Sequence, residues 1–88
     1  MLYFVYILIS AGDNNLYVGC TRDLRKRLEL HNAGQVKATK HRRPMTVLYS
    51  QEFCNKADAF SRERFLKSLW SGRFKRKLKE EYLTKAKS

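Results

Sequence analysis

Residues 16–32 read LYVGCTRDLRKRLELHN, and a change of pattern within them decides the fold. Leu16–Thr21 is a short run holding Tyr17 and the β-branched Val18, the composition of a strand. From Leu24 the spacing lengthens. Leu24 and Leu28 stand one helical turn apart, with Leu30 off that line, so a narrow apolar stripe faces a core. Asp23 or Thr21 can accept hydrogen bonds from the free N–H groups of a first turn, and Gly34 stops the helix after Asn32. A strand thus gives way to a basic helix just after Gly19. That junction is either a plain β-to-α turn or one edge of a site.

Working outward, MLYFVYILIS is apolar up to Ser10, and Tyr3–Ser10 has the aromatic and β-branched content of a central strand packed on both faces. The run lacks the basic n-region and cleavage site of a signal peptide and is too short to span a bilayer. The turn residues SAGDNN join it to Leu16–Thr21 as a β-hairpin with a longer loop. Downstream, GQVKATKHRRP (34–44) reads as a basic loop closed by Pro44. MTVLYSQEF (45–53) is a third strand, with Val47 and Tyr49 on one face and Leu48 on the other. NKADAFSRERFLKSLW predicts a long helix capped by Asn55 and stopped near Gly72, with Phe60, Phe65, Leu66, Leu69 and Trp70 mostly toward the core. RFKRKLKEEYL predicts a last helix with Phe74, Leu78 and Tyr82 on one side and Leu83 adjoining. The order ββαβαα points to an α+β domain, a small three-stranded antiparallel sheet flanked by helices. We expect one domain over residues 1–83 and a short basic tail at 84–88.

Charge supplies the first functional direction. Nineteen Lys and Arg against eight Asp and Glu leave a net charge of +11, a field that attracts polyanions, nucleic acid foremost. The cations fall into two groups, one over residues 22–43 and one over residues 67–79. No long apolar amphipathic face supports a membrane surface as the target. Two cysteines, Cys20 and Cys54, are too few for a secreted disulfide scaffold and fit free thiols in a reducing cytoplasm. Cys20, His31, His41 and Cys54 lack the short ligand spacing of a structural zinc site.

Several residues are suited to chemistry. Hairpin pairing makes the strands of Tyr6 and Tyr17 neighbours, so both phenols can share a face, although strand tyrosines more often serve packing. Arg27 and His31 lie four apart on one helix side. There an arginine can hold a phosphate and a histidine can exchange a proton, or both can sit on a solvated basic face. Glu63 flanks the apolar side of its helix, between Phe60 and Leu66, and needs a partner there. That partner is Arg62 or Arg64, or a magnesium ion beside substrate phosphates. Two tyrosines, an arginine, a histidine and a carboxylate are parts sufficient to hydrolyse a phosphodiester.

In that set the chain resembles the GIY-YIG endonuclease superfamily, in its small single-domain bacterial members, the UPF0213-like subgroup. The first family triplet stands here as Phe4-Val5-Tyr6 and the second as Tyr17-Val18-Gly19, ten residues apart. Arg27 in TRDLRKRLELHN matches the family arginine, and His31-Asn32 closes that helix as in such members. ADAFSRERFLKSLW looks like the segment that carries the family's metal-binding glutamate, here Glu63, and TKHRRP also resembles the subgroup. Phe4 and Val5 depart from Gly-Ile in the first triplet, a change that concerns strand packing rather than its tyrosine.

The resemblance implies a divalent-metal-dependent endonuclease acting on DNA in repair or processing, with Mg²⁺ or Mn²⁺ held by Glu63. Arg27 would clamp the phosphate, and Tyr6, Tyr17 or His31 would deprotonate the attacking water, the resemblance favouring a tyrosine. Arg25, Lys26, Lys40, Arg42, Arg43 and Arg73 would follow the nucleic-acid backbone, and such contacts would serve RNA as well. Gly19 would leave room for substrate or a close backbone approach. A protein partner would direct specificity. The competing reading is a nucleic-acid-binding module without cleavage, or an accessory subunit of a repair complex.

Overall fold

The computed structural model describes residues 1–86. In chain order these form β1 (Tyr3–Ser10), β2 (Leu16–Thr21), α1 (Leu24–Asn32), β3 (Met45–Phe53), α2 (Lys56–Lys67), a 3-10 turn (Leu69–Ser71) and α3 (Gly72–Ala86). This is the expected ββαβαα arrangement, and the sheet is antiparallel in the order β2-β1-β3. The most apolar strand is therefore the central one, buried without a break from Val5 to Ser10. Such a strand reads as a continuous apolar run because both of its faces are covered.

Each face has its own cluster. Val5, Ile7 and Val18 pack with Ala59 and Leu66 of α2, and Phe74 and Leu78 of α3 close over them. On the opposite face Tyr6, Leu8 and Met45 pack with Tyr17 and Val47 under Leu24 and Leu28 of α1. The sheet is thus a middle layer, with α1 on one side and α2 and α3 on the other. Among the described residues no helix is long and apolar enough to cross a membrane.

Three local expectations fail. In β3 the register runs Ile7↔Tyr49 and then Leu8↔Val47, so Leu48 is the extra residue of a β-bulge. The bulge breaks the alternation. Leu48 and Tyr49 both pack toward α2 and α3, and Val47 packs with Met45 on the Tyr6 side. In α2 the helix stops at Lys67 rather than near Gly72. Ser68 turns to an extended conformation, and both its N–H and its hydroxyl donate to the Phe65 carbonyl. Serine hydroxyls offer the backbone this alternative to helix continuation. Only Ala59 and Leu66 of α2 reach the core. Phe60 and Phe65 are exposed, Leu69 is 98% exposed and Trp70 is 88% exposed.

Candidate active site

The β1–β2 register places Tyr6 opposite Gly19 and Leu8 opposite Tyr17, so Tyr6, Gly19 and Tyr17 share one face of the sheet. The two phenol rings lie 6.5 Å apart. Gly19 is needed because the Tyr6 ring crosses directly over it. A Cβ added at Gly19 would overlap the Tyr6 hydroxyl and ring carbons. The close approach that the glycine allows is thus the approach of Tyr6.

Helix α1 closes this face. Asp23 caps it by accepting from the Lys26 N–H at 3.0 Å, and the helix delivers His31 to a fully buried position. His31 Nε2 lies 3.2 Å from the Tyr6 hydroxyl, and His31 Nδ1 lies 2.7 Å from Thr39 Oγ1. Thr39 Oγ1 donates to the Val36 carbonyl at 3.5 Å. Thr39 then accepts from His31 Nδ1–H, which leaves Nε2 as the acceptor of the Tyr6 O–H. Burial, joined by the Arg27 charge, pushes the His31 pKa down, so the ring is neutral in this chain of bonds. The His31 ring meets the Tyr17 ring edge-on at 4.9 Å.

Arg27 stands one turn before His31, with its guanidinium beside both phenols. The Tyr6 hydroxyl is the main group that raises the Arg27 pKa, with Tyr17 adding to it. Burial raises the Tyr6 pKa most; Arg27 opposes that rise, and the Tyr17 and Glu63 charges add to it. Arg27 Nε is buried and has no hydrogen-bond partner. Arg42 Nε and Arg62 Nε share that condition away from this face, so what distinguishes Arg27 is the nearness of its guanidinium to two phenols.

Glu63 comes from the other layer, on α2. Its side chain is 20% exposed, the partly desolvated position that the sequence predicts. Its partner is Lys67, at 2.9 Å, and neither Arg62 nor Arg64. Arg62 turns away to Tyr49 and stacks over Phe65 and Phe74. Glu63 pairs with Lys67 and makes no hydrogen bond to the Tyr6–His31 pair among the described residues, yet its charge acts on Tyr6 and on Cys20. Among the described residues no group of three or more His, Cys, Asp or Glu side chains could hold a metal ion. A lone hard carboxylate still suits a magnesium-type ion, which keeps its waters and takes one or two carboxylates beside substrate phosphates.

The family model of the GIY-YIG catalytic domain matches residues 2–79. The chain belongs to the GIY-YIG family. It is 40% identical over 82 residues to a UPF0213 protein of Streptococcus pneumoniae, spanning 92% of this chain and 77% of that one. It is also 40% identical to a UPF0213 protein of Staphylococcus haemolyticus, spanning 90% of this chain and 95% of the relative. The solution NMR structure of a UPF0213 protein from Bacillus halodurans is similar, with a TM-score of 0.55 and 34% identity over 89% of this chain and 82% of that one.

In this GIY-YIG domain the expected backbone-tracking cations differ in freedom. Arg25, Lys26, Lys40 and Arg73 are exposed, Arg25 making a long 3.9 Å pair with Glu29. Arg42 is half-buried, facing Asp13 at 3.5 Å and donating to the Leu16 carbonyl. Arg43 donates to the Lys40 and Asn32 carbonyls. These two arginines hold the 34–44 loop in place. Sequence reasoning missed Thr39, the buried partner of His31, since a threonine among loop lysines carries no periodic signal. It also left Asn32 without a contact. The Asn32 side chain accepts from Met45 N–H and donates to the Met45 carbonyl, fastening the end of α1 to the start of β3.

Proposed function

We propose that this GIY-YIG domain is a divalent-metal-dependent endonuclease that hydrolyses DNA phosphodiester bonds in repair or processing. The observation that carries the reading is the Arg27 guanidinium set beside two phenols that share one face of the sheet. Arg27 clamps the scissile phosphate there and offsets the negative charge that develops on it. His31 is fully buried with both ring nitrogens engaged, by Tyr6 and Thr39, so it braces Tyr6 and does not meet the attacking water. Tyr6 in turn is committed to His31, and the pair fixes the floor of the site. The half-buried Tyr17 is the phenol that water can reach, and it takes the proton of the attacking water. It does so as the phenolate, whose charge the adjacent Arg27 guanidinium balances. A Mg²⁺ or Mn²⁺ ion, held by Glu63, would supply Lewis-acid stabilisation of the phosphate when bound. The two free cysteines fit a reducing compartment, the cytoplasm.

The Glu63–Lys67 pair favours a second reading, a nucleic-acid-binding module whose carboxylate serves α2 instead of a metal. Nicking of supercoiled plasmid at low salt with Mg²⁺ or Mn²⁺ separates the two. The nuclease reading expects nicking by the native chain, its loss in Glu63→Ala, and a fall of roughly a hundred-fold or more in Tyr17→Phe. DNA retention without nicking selects the binding module. Nicking that survives in Glu63→Ala removes the metal from Glu63.

A further inference from the structure

Between α2 and α3 the chain displays Leu69 at 98% and Trp70 at 88% exposure, the two most exposed large apolar residues among those described. An indole left in water forgoes the gain of burial, so its display needs a reason. The display is built into the backbone. Ser71 is fully buried, and its hydroxyl donates toward the Leu66 carbonyl at 2.8 Å and the Ser68 carbonyl at 2.9 Å. Ser68 binds the Phe65 carbonyl through its hydroxyl at 2.6 Å and its N–H at 3.0 Å. Two serines thus pin both ends of a 3-10 turn and leave the two apolar side chains between them pointing away from the core.

The surroundings identify what the turn faces. Residues 64–79, RFLKSLWSGRFKRKLK, contain seven Lys and Arg and no Asp or Glu. Arg64 and Lys67 precede the turn, Arg73 and Arg76 follow it, and all four are exposed. Lys67 is the one already paired, to Glu63. A protruding aromatic ring bracketed by cations complements a strand that carries phosphates and free base faces. Paired bases in a duplex are already stacked on both sides and offer an indole no face, whereas cations alone suffice for a duplex backbone.

We propose that Trp70 is a stacking platform for an unpaired deoxynucleotide, with Arg64, Arg73 and Arg76 contacting the flanking phosphates. This rests on the nuclease reading above and deepens it, since it names single-stranded DNA, or a single-stranded segment of branched DNA, as the substrate class. The turn directly follows the helix that carries Glu63, so an unpaired base held at Trp70 would mark the strand that continues toward the site.

Trp70 is the only tryptophan of the chain and reports on its own contact. The full chain, in EDTA so that nothing is cleaved, is titrated with labelled oligo-dT, an abasic oligomer of equal length and a blunt duplex. Tryptophan emission and fluorescence anisotropy are followed together. Oligo-dT is expected to quench the emission by more than about half and saturably, whereas abasic oligomer and duplex bind without quenching. Trp70→Ala is expected to weaken oligo-dT binding roughly ten-fold and leave duplex binding unchanged, with Trp70→Phe recovering most of the loss. Binding of oligo-dT with unchanged emission, or equal quenching by the abasic oligomer, overturns the proposal. So does a concentration-dependent dimer in light scattering that Trp70→Ala abolishes, since a second copy would then be the occupant. Quenching by oligo-dT in a chain that nicks nothing supports the platform and defeats only the nuclease reading. Absence of binding to any of the three DNAs overturns both.

Discussion

Gly19 and Tyr6 compete for one volume, and the triplet glycine serves the tyrosine across the hairpin. Gly19→Ala is expected to cost about 1–3 kcal/mol, because the buried ring has no free direction in which to retreat. The same change should cost clearly less in a Tyr6→Ala background, where the clash partner is gone. Denaturant midpoints of the four chains measure that coupling, and strict additivity would refute the overlap as its cause. The buried pair also shapes stability against pH. Burial and Arg27 hold the folded His31 pKa below its ordinary 6.5, so below that pH the unfolded chain binds a proton that the folded chain refuses. Stability therefore falls as pH drops from 6.5 through the lower folded value. Burial holds the Tyr6 pKa above 10.0, so stability falls as pH rises from 10.0 through the higher folded value. Burial likewise holds the Cys20 thiol above its ordinary 9.0, so urea midpoints should show a plateau from 6.5 to 9.0 and a two-part alkaline limb. His31→Gln should flatten the acid limb and Tyr6→Phe the upper part of the alkaline one.

At the scale of elements, the two asparagines at helix ends do different work. Asn55 caps α2 by accepting from Asp58 N–H at 2.8 Å and donating to the Asp58 carboxylate at 2.8 Å. Asn55→Ala is expected to lower stability by about 1 kcal/mol, the ordinary worth of a cap. Its nicking rate should match that of the native chain below the melting range. Asn32→Ala removes both bonds to Met45 beside His31, and should lower stability by about 1–3 kcal/mol and the nicking rate as well. Thermal melts paired with nicking rates distinguish a cap from a brace. The element boundaries before Ser68 were legible in sequence, since aromatic and β-branched strand runs, Asp23 and Asn55 as caps, and Gly34 with φ +80 are local signals. The Leu48 bulge was not, because two-versus-one pairing depends on the partner strand. The end of α2 was also missed, because Ser68 and Ser71 act through bonds that periodicity does not register.

The whole molecule measures 36 × 30 × 23 Å, so its longest face spans about ten base pairs of DNA. With roughly five phosphates neutralised, log affinity should fall with log salt at a slope near −4.5, about 500-fold between roughly 50 and 200 mM. A flat response in a filter-binding or anisotropy titration would remove phosphate contacts from the account. Not every cation contributes. Lys40→Ala should weaken DNA binding and leave the melt unchanged, for Lys40 is exposed. Arg42→Ala should lower the melting temperature first, because its side chain binds Asp13 and Leu16.

From sequence alone followed the central strand, the hairpin, the ββαβαα order and the family triplets, since strand composition, helical spacing, capping and turn chemistry are written in neighbouring residues. Four of the candidate residues could also be placed by such local rules, Tyr6 and Tyr17 by strand pairing and Arg27 and His31 by one helical turn. The tertiary structure decided what those residues touch. It set His31 between Tyr6 and Thr39, gave Glu63 to Lys67, left Arg27 Nε without a partner, and turned Trp70 outward. Each of these depends on groups distant in sequence, or on serine bonds that redirect the backbone. Periodicity reports which face a residue is on; only packing decides what meets it there.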